Sequence, residues 1–182
     1  MRIFIALDIP EEIRARMMEY LERARSLAPE ARWARPEGLH VTLKFVGEVS
    51  DARVREMTTT LFTVKTAPFE VSFQDVGFFP NPKSPRVFWI GVQGGQSLLQ
   101  LATTVDATLG KLGPPREDKA YRPHLTLARA GSSGSLKQLL PLLDPEKPPQ
   151  FGTMTAQEFW LYQSEPQRGG SRYTKLERFG LL

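Results

Sequence analysis

Apolar positions along this 182-residue chain follow two different periods, and each change of period marks an element. The short apolar run at 2–7 predicts a β-strand. Asp8 is the predicted N-cap of the helix that follows, with Pro10 in its first turn. The predicted buried face of that helix recurs at helical spacing and consists of Ile13, Met17, Leu21 and Ala24.

The rest of the chain alternates in the same way between short strands and helices. Ser50 or Asp51 is the predicted cap of a second helix, which ends near residue 65. A third amphipathic helix is predicted after Gly94 and Gly95, and a short helix near 135–143. The other predicted strands lie at 39–46, 69–78, 86–92, 124–129, 154–163 and 172–179.

Two copies of the pattern His-x-Thr-Leu, at His40 and His124, stand about half the chain apart. Around each copy the order of predicted elements is similar, with a helix before the motif strand and two strands near the end of the half. We therefore expect residues 1–182 to form a single bilobal domain with pseudo-duplicated halves, approximately 1–93 and 94–182.

Composition narrows the classes of function only moderately. The formal charge is +4, from 24 Lys and Arg against 20 Asp and Glu, which suits a polyanionic substrate. The absence of cysteine excludes disulfides, thiol catalysis and cysteine-type zinc sites, and fits a cytoplasmic location. No apolar stretch approaches the roughly 20 residues of a membrane span, so we expect no membrane association.

The chain has only two histidines, and both fall in the repeated pattern. Strand geometry puts His40 and Thr42 on one face, with Cα atoms roughly 6.6 Å apart, and His124 and Thr126 likewise. An imidazole and a hydroxyl at that spacing can converge on one phosphate. One histidine could then take a proton from water while the other protonates a leaving oxygen, as cleavage of a cyclic phosphodiester requires.

A metal site is the main chemical alternative. Two histidines fall short of the three protein ligands that a catalytic zinc usually has. Asp75, Asp106 and Asp118 stand at no recognisable ligand spacing from them. We therefore expect neither a metal nor another cofactor.

The residues around both motifs resemble the 2H phosphoesterases, in particular the RNA 2′,3′-cyclic phosphodiesterases formerly described as 2′-5′ RNA ligases. The resemblance is carried by the runs WARPEGLHVTLKFVG at 33–47 and YRPHLTLAR at 121–129, and extends over essentially the whole chain. It implies an α+β bilobal fold. Two antiparallel sheets would lie in pseudo-twofold arrangement around a central cleft, with helices packed outside.

The resemblance also implies an activity and roles for residues. It implies hydrolysis of RNA 2′,3′-cyclic phosphate ends to 2′-phosphates without metal, with His40 as proton donor and His124 as proton acceptor. Thr42 and Thr126 would bind the substrate phosphate, and so would Arg129. Strict strand alternation places Arg129 on the wrong face, so this role requires a strand end or bend after Leu127.

Further RNA contacts are predicted at the margins of the site. Lys44 shares the face of His40 by alternation, and Arg122 lies in the charged loop before the second motif. Phe4 and Trp33 could stack on a terminal base. Phe45 is predicted in the core.

Several functions other than cyclic phosphate hydrolysis stay open. The same histidines could run the reaction in reverse and join RNA ends through a 2′-5′ linkage. The chain could also cleave 2′-5′ oligonucleotides or small cyclic phosphates, or bind RNA ends without catalysis. The expected partner is RNA with a 2′,3′-cyclic phosphate terminus, and we expect a monomer without an obligate protein partner.

Overall fold

Nine strands and three α-helices are present in residues 1–131 and 136–182, the part of the chain that this computed structural model describes. The helices are α1 (Glu11–Arg25), α2 (Asp51–Leu61) and α3 (Gly95–Gly110), and short 3-10 helices lie at Pro36–Gly38 and Lys137–Leu142. The strands are β1 (Arg2–Leu7), β2 (Arg32–Trp33), β3 (Val41–Glu48), β4 (Phe69–Phe79), β5 (Val87–Gln93), β6 (His124–Arg129), β7 (Gln150–Ala156), β8 (Glu158–Gln167) and β9 (Gly170–Gly180).

The strands form two antiparallel sheets, which confirms the predicted α+β class. Sheet A has the strand order β3-β1-β8-β9, and sheet B has the order β2-β6-β5-β4-β7. The first motif therefore lies on or beside the edge strand of sheet A, and the second lies inside sheet B. Each sheet contains strands from both halves of the chain, so the predicted division at residues 93 and 94 stays a hypothesis about duplication.

The helices bury the faces that their sequences predict. Ile13, Met17, Leu21 and Ala24 of α1 are all buried. The predicted cap at Asp8 is wrong, because α1 begins after Pro10 and has no side-chain cap. Asp8 instead accepts hydrogen bonds from the Ile9 amide and from Arg14. Ser50 does cap α2, since its Oγ accepts from the Arg53 amide at 3.2 Å.

Three predicted elements differ from the structure. The strand predicted at 154–163 is two strands, β7 and β8, and the two-residue strand β2 was not predicted. The short helix predicted near 135–143 is a 3-10 helix that contains Pro141. Residue 135 lies outside the described residues. Two or three residues of extended chain carry too little periodicity to be recognised.

A β-bulge interrupts each motif strand just after its threonine. In β3, Thr42 pairs with Ala6 and Lys44 pairs with Ile5, so Leu43 is the extra residue. In β6, Thr126 pairs with Trp89 and Ala128 pairs with Phe88, so Leu127 is the extra residue. A bulge resets the alternation of side chains, so residues beyond it change faces.

One continuous apolar cluster lies between the helices and both sheets. Strand β1 shows how the faces divide: Ile3 and Ile5 belong to that cluster, whereas Phe4 and Ala6 pack with Tyr162 in a small second cluster on the opposite face. That opposite face of sheet A borders the motif histidine. Among the described helices, none is long and apolar enough to cross a membrane.

Candidate active site

The two motifs meet at one cleft. Sheet A contributes His40 and Thr42 to its walls, and sheet B contributes His124 and Thr126. The cleft has a volume of about 540 Å³, which lies within the range of small-molecule sites. Residues far apart in sequence thus form one site, because each motif strand turns the face that carries its histidine and threonine toward the space between the sheets.

The tautomer of His124 is set by its own backbone. Its Nδ1 lies 2.7 Å from the Arg122 carbonyl oxygen, which can only accept a hydrogen bond. Nδ1 therefore carries the hydrogen, and Nε2 of the neutral ring keeps a lone pair. Burial lowers the pKa of His124, the hydrogen bond to Arg122 raises it part of the way back, and the charge of Arg129 lowers it again.

His40 lies among aromatic rings. Phe4 stacks on it with ring centroids 4.7 Å apart, and Tyr173 meets it edge-on at 5.3 Å. Burial lowers the pKa of His40 to about 4, although the charge of Asp8 opposes the shift. Its Nδ1 is buried and has no hydrogen-bond partner among the described residues. The ring is therefore mostly neutral near pH 7, and a bound phosphate would favour its protonated form.

Phe45 in β3 and Arg129 in β6 occupy equivalent positions in the two motifs, each two residues after the bulged leucine. Both side chains line the cleft, although strict alternation assigns them to the other face. Phe45 is 47% exposed, so its predicted place in the core is wrong. Arg129 is exposed at the cleft wall, where its guanidinium can hold two phosphate oxygens. The bend that its predicted role required is the bulge at Leu127.

Lys44 does not reach the cleft, contrary to the prediction. The bulge at Leu43 turns it toward α3, where its side chain is 1% exposed. Its Nζ donates to Asp106 Oδ1 at 2.5 Å and to the Pro115 carbonyl at 3.1 Å. Burial raises the pKa of Asp106, but the hydrogen bond and charge of Lys44 outweigh it and leave that pKa lowered. Lys44 joins β3 to α3 and is not available to RNA.

A hydrogen bond connects the two motifs. The hydroxyl of Tyr121, just before β6, donates to the Thr42 carbonyl at 2.9 Å. Burial raises the pKa of Tyr121, so its proton stays in place at neutral pH. The segment that leads into the second motif is thus fixed to the strand of the first. Sequence reasoning missed this role, although Tyr121 opens the run that carries the second motif.

The other predicted RNA contacts lie in three different settings. Trp33 lines the cleft, but its indole Nε1 donates to the Ala28 carbonyl at 2.8 Å. Phe4 is 3% exposed and lies behind His40, so it cannot stack on a base without displacing that ring. The side chain of Arg122 is exposed beyond His124 and borders a neighbouring pocket.

One wall of the cleft was not predicted at all. The tight connection between β8 and β9 brings Gly169 and Gly170 to the cleft, next to Arg35. Arg35 Nη2 donates to the Gly169 carbonyl at 2.8 Å. No local sequence signal joins these residues, because the contact depends on how the hairpin folds over the first motif.

A resident metal would need a set of ligands. In the described ranges, no three or more His, Cys, Asp and Glu side chains cluster so as to hold a metal ion. The groups that line the cleft include the two imidazoles, the hydroxyls of Thr42 and Thr126, and the guanidinium of Arg129. This set matches a phosphate and the proton transfers around it.

A family model described as the 2′-5′ RNA ligase superfamily matches residues 9–168. The chain belongs to this superfamily. The resemblance to 2H phosphoesterases is thereby confirmed. Over 179 residues the chain is 36% identical to the RNA 2′,3′-cyclic phosphodiesterase of Archaeoglobus fulgidus, covering 98% of this chain and 99% of the relative. It is 32% identical over 183 residues to the Escherichia coli protein of the same name, covering 99% and 96%.

Solved structures of superfamily members share the fold. The chain superposes on E. coli LigT in complex with 3′-AMP with a TM-score of 0.80, at 32% identity, covering 99% of this chain and 97% of that one. A protein of Thermus thermophilus, TT0787, gives a TM-score of 0.79 at 30% identity, covering 100% and 98%. The predicted bilobal 2H phosphoesterase architecture is confirmed.

Proposed function

We propose that this protein hydrolyses RNA ends that carry a 2′,3′-cyclic phosphate and releases 2′-phosphate ends. The observation that carries the proposal is the convergence of two His-x-Thr strands, one from each sheet, on one cleft. The name that the A. fulgidus and E. coli relatives share supports the choice of substrate.

His124 is the proposed proton acceptor. Its Nδ1–H is held by the Arg122 carbonyl, which leaves Nε2 free to take a proton from water. The oxygen of that water attacks phosphorus and forms the new P–O bond. Because the carbonyl also supports the protonated ring, it favours the base role of His124 as the transition state develops.

His40 is the proposed proton donor. The bond from phosphorus to O3′ breaks on the side opposite the attacking water, and His40 supplies the proton that O3′ takes up. Its pKa is low in the free protein, but the anionic substrate raises it. The surrounding aromatic faces also stabilise the imidazolium form. The proton gained by His124 replaces the one lost by His40 after each turnover.

Thr42, Thr126 and Arg129 are the proposed phosphate ligands. Each lines the cleft beside a histidine, and each can donate hydrogen bonds to non-bridging oxygens. Charge grows on those oxygens as water attacks, so donors fixed in place lower the barrier.

RNA is the proposed partner, and one chain is the proposed working unit. A single chain supplies every group named above, so no second copy is needed to complete the site. We also propose a cytoplasmic location, which the absence of cysteine suits. Light scattering of the purified protein tests the monomer, and a higher mass at working concentration would contradict it.

The activity is tested with a short RNA that ends in a 2′,3′-cyclic phosphate, in the presence of EDTA. We expect a 2′-phosphate product. His40→Ala and His124→Ala should each lower kcat by about 10²–10⁴-fold, the usual share of one general acid or base. Arg55→Ala, on the exposed surface of α2, is the control and should leave the rate unchanged. Full turnover by either histidine variant would falsify the mechanism.

The same assay separates the open alternatives. Binding of the cyclic end without turnover would indicate a non-catalytic RNA-end binder. Activity only after a divalent metal is restored would indicate metal catalysis. Faster cleavage of a 2′-5′ oligonucleotide or of a small cyclic nucleotide than of the RNA would move the proposal to that substrate.

A further inference from the structure

Three arginines among the described residues line the cleft, and the proposed reaction uses only one of them. They are Arg32, Arg35 and Arg129, and no carboxylate is among the described lining residues. None of the three forms an ion pair within the described ranges. A terminal cyclic phosphate carries a single negative charge, and Arg129 alone can hold two of its oxygens. The other two guanidiniums therefore indicate a second anion in the cleft.

Pairing in sheet B sets two of these charges side by side. Arg32 of β2 lies directly opposite Arg129 of β6. Like charges at such cross-strand positions repel each other and lower stability. Arg32 donates a hydrogen bond to the Ala130 carbonyl at 3.3 Å, which satisfies one donor without balancing the charge. A cleft lined by charges of one sign attracts a ligand of the opposite sign, so this arrangement is typical of a site for a polyanion.

The backbone of Arg35 is fixed one turn before His40. Arg35 is the residue just before the 3-10 helix Pro36–Gly38, and its carbonyl accepts a hydrogen bond from the last amide of that helix at 2.9 Å. Helix α1 holds the same turn, because Arg14, whose side chain is 13% exposed, donates to the Leu39 carbonyl at 3.2 Å. The backbone therefore sets the position of Arg35 relative to the proposed proton donor.

The β8–β9 hairpin holds the guanidinium of Arg35. Its Nη2 donates to the Gly169 carbonyl at 2.8 Å and to the Arg168 carbonyl at 3.5 Å. A Cβ atom on Gly169 would lie 2.9 Å from that Nη2, so a larger residue there would displace the guanidinium. Nε and Nη1 make no hydrogen bond within the described residues and are left for a ligand. A guanidinium that is already held in place loses little conformational entropy when it binds a phosphate.

The direction of the proposed reaction places the rest of the RNA strand on the side of Arg35. In an in-line displacement O3′ leaves on the side opposite the attacking water, so the ribose that carries O3′ lies toward His40. Contacts lead along this wall from His40 to Arg35. The Tyr173 ring meets His40 at 5.3 Å, and a Cβ atom on Gly38, one turn after Arg35, would lie 3.3 Å from the same ring. The next phosphate of an RNA strand is attached to O5′ of that ribose.

We propose that Arg35 binds the phosphate at O5′ of the terminal nucleotide, which in RNA is the phosphodiester to the preceding nucleotide. Arg32 raises the positive potential of the same cleft. This inference rests on the proposed function and makes the substrate an RNA strand in preference to a free nucleoside 2′,3′-cyclic phosphate. The phosphate at O5′ keeps its charge throughout the reaction, so Arg35 binds substrate and transition state equally. Its contact therefore lowers KM and leaves kcat unchanged.

The test compares kcat and KM for four substrates that end in the same 2′,3′-cyclic phosphate. They are adenosine 2′,3′-cyclic phosphate, its 5′-phosphorylated form, a dinucleotide, and the same dinucleotide with an uncharged methylphosphonate linkage. We expect the dinucleotide to have a KM about tenfold below that of the nucleoside, as one charge-assisted contact gives. The methylphosphonate should lose this advantage although it keeps the second base. The 5′-phosphorylated nucleoside should keep it, which separates a contact to phosphate from a contact to the preceding nucleoside.

Variants on both sides of the contact complete the test. Arg35→Gln should raise KM about tenfold for the dinucleotide and leave KM unchanged for the nucleoside and the methylphosphonate. Arg35→Lys keeps the charge but not the planar fork, so its KM should be intermediate. Gly169→Ala should act like Arg35→Gln, because the added Cβ displaces the guanidinium. Arg168→Gln is the matched control, since it removes an exposed charge from the same hairpin outside the cleft lining, and it should leave every KM unchanged.

The outcomes distinguish this inference from the proposed function. If wild type hydrolyses none of the four substrates, the proposed function has failed. If it hydrolyses the nucleoside and the dinucleotide with equal KM, the phosphate site is overturned and the hydrolase stands. If Arg35→Gln weakens all four substrates alike, Arg35 only supports the shape of the cleft, and the inference is also overturned. An equal rise in KM for Arg168→Gln would attribute the effect to overall charge and overturn the specific contact.

Discussion

Removing the carboxylate of Asp106 leaves a charge trapped in the protein. Lys44 is 1% exposed, and Asp106 is its ion-pair partner at 2.5 Å. In Asp106→Leu the ammonium keeps only the Pro115 carbonyl, at 3.1 Å. Breaking a buried pair on one side costs about 3–5 kcal/mol, because the remaining charge is desolvated without compensation. We expect Asp106→Leu to lose stability by that amount.

The double variant tests the reason for the loss. Lys44→Met together with Asp106→Leu removes both charges and keeps similar volume, so it should be clearly more stable than Asp106→Leu alone. Lys44→Met alone should cost less than Asp106→Leu, since Asp106 keeps contacts to the Arg116 side chain and the Glu117 amide.

Urea unfolding of the four proteins provides the measurement. With an m-value of about 2 kcal/mol/M, Asp106→Leu should lower the midpoint by ~2 M. The matched control is Asp51→Leu, at an exposed position in the first turn of α2. An Asp106→Leu protein within about 1 kcal/mol of wild type, or a double variant less stable than Asp106→Leu, would refute the argument from trapped charge.

The pair also predicts a pH dependence. The pKa of Asp106 is lowered in the folded protein from its ordinary value of 3.8. Its contribution to stability is therefore complete above that value and is lost as the pH falls through the lowered pKa. Unfolding of the double variant should lack this acid-dependent component.

Three further predictions concern the cleft and its support. The pKa of His40 falls from 6.5 to about 4 on folding, so the unfolded chain binds more protons between these values and stability declines as the pH falls from 6.5 to 4. His40→Gln should flatten that decline in thermal unfolding, and an unchanged slope would contradict the burial of this ring. Arg129→Gln should lower kcat/KM about ten- to hundredfold by removing a charged pair of hydrogen bonds, and Arg129→Lys should have intermediate activity. Equal activity of wild type and both variants would show that Arg129 does not bind the phosphate. Gly77→Ala should destabilise the protein by about 1–3 kcal/mol, because its Cβ overlaps Trp89, and Trp89→Leu should relieve much of that loss. If the double variant is no more stable than Gly77→Ala alone, the loss does not arise from overlap with Trp89.

The sequence by itself determined the local elements and identified the groups that we propose to react. Helical spacing was sufficient to predict the buried face of α1, because that face reflects only the period of the helix. The two histidines were recognisable because neither core packing nor a metal site requires a histidine and a threonine at the same spacing in two strands. The prediction of a cap at Asp8 was wrong. Its carboxylate oxygens instead bind Arg14 in α1 and Lys175 in β9, and the second of these contacts is distant in sequence.

Only the tertiary structure decided which side chains reach the cleft. Sequence alternation misplaced Phe45 and Lys44, because the bulge at Leu43 arises from pairing between β3 and β1 and leaves no mark in the sequence of β3. The equivalent bulge at Leu127 brings Arg129 into the cleft for the same reason. Only the fold brings Phe79, Trp89 and Leu99, from β4, β5 and α3, to one pocket beside His124. The residue pattern of a strand determines which side chains it carries, whereas pairing with neighbouring strands determines the face on which each side chain lies.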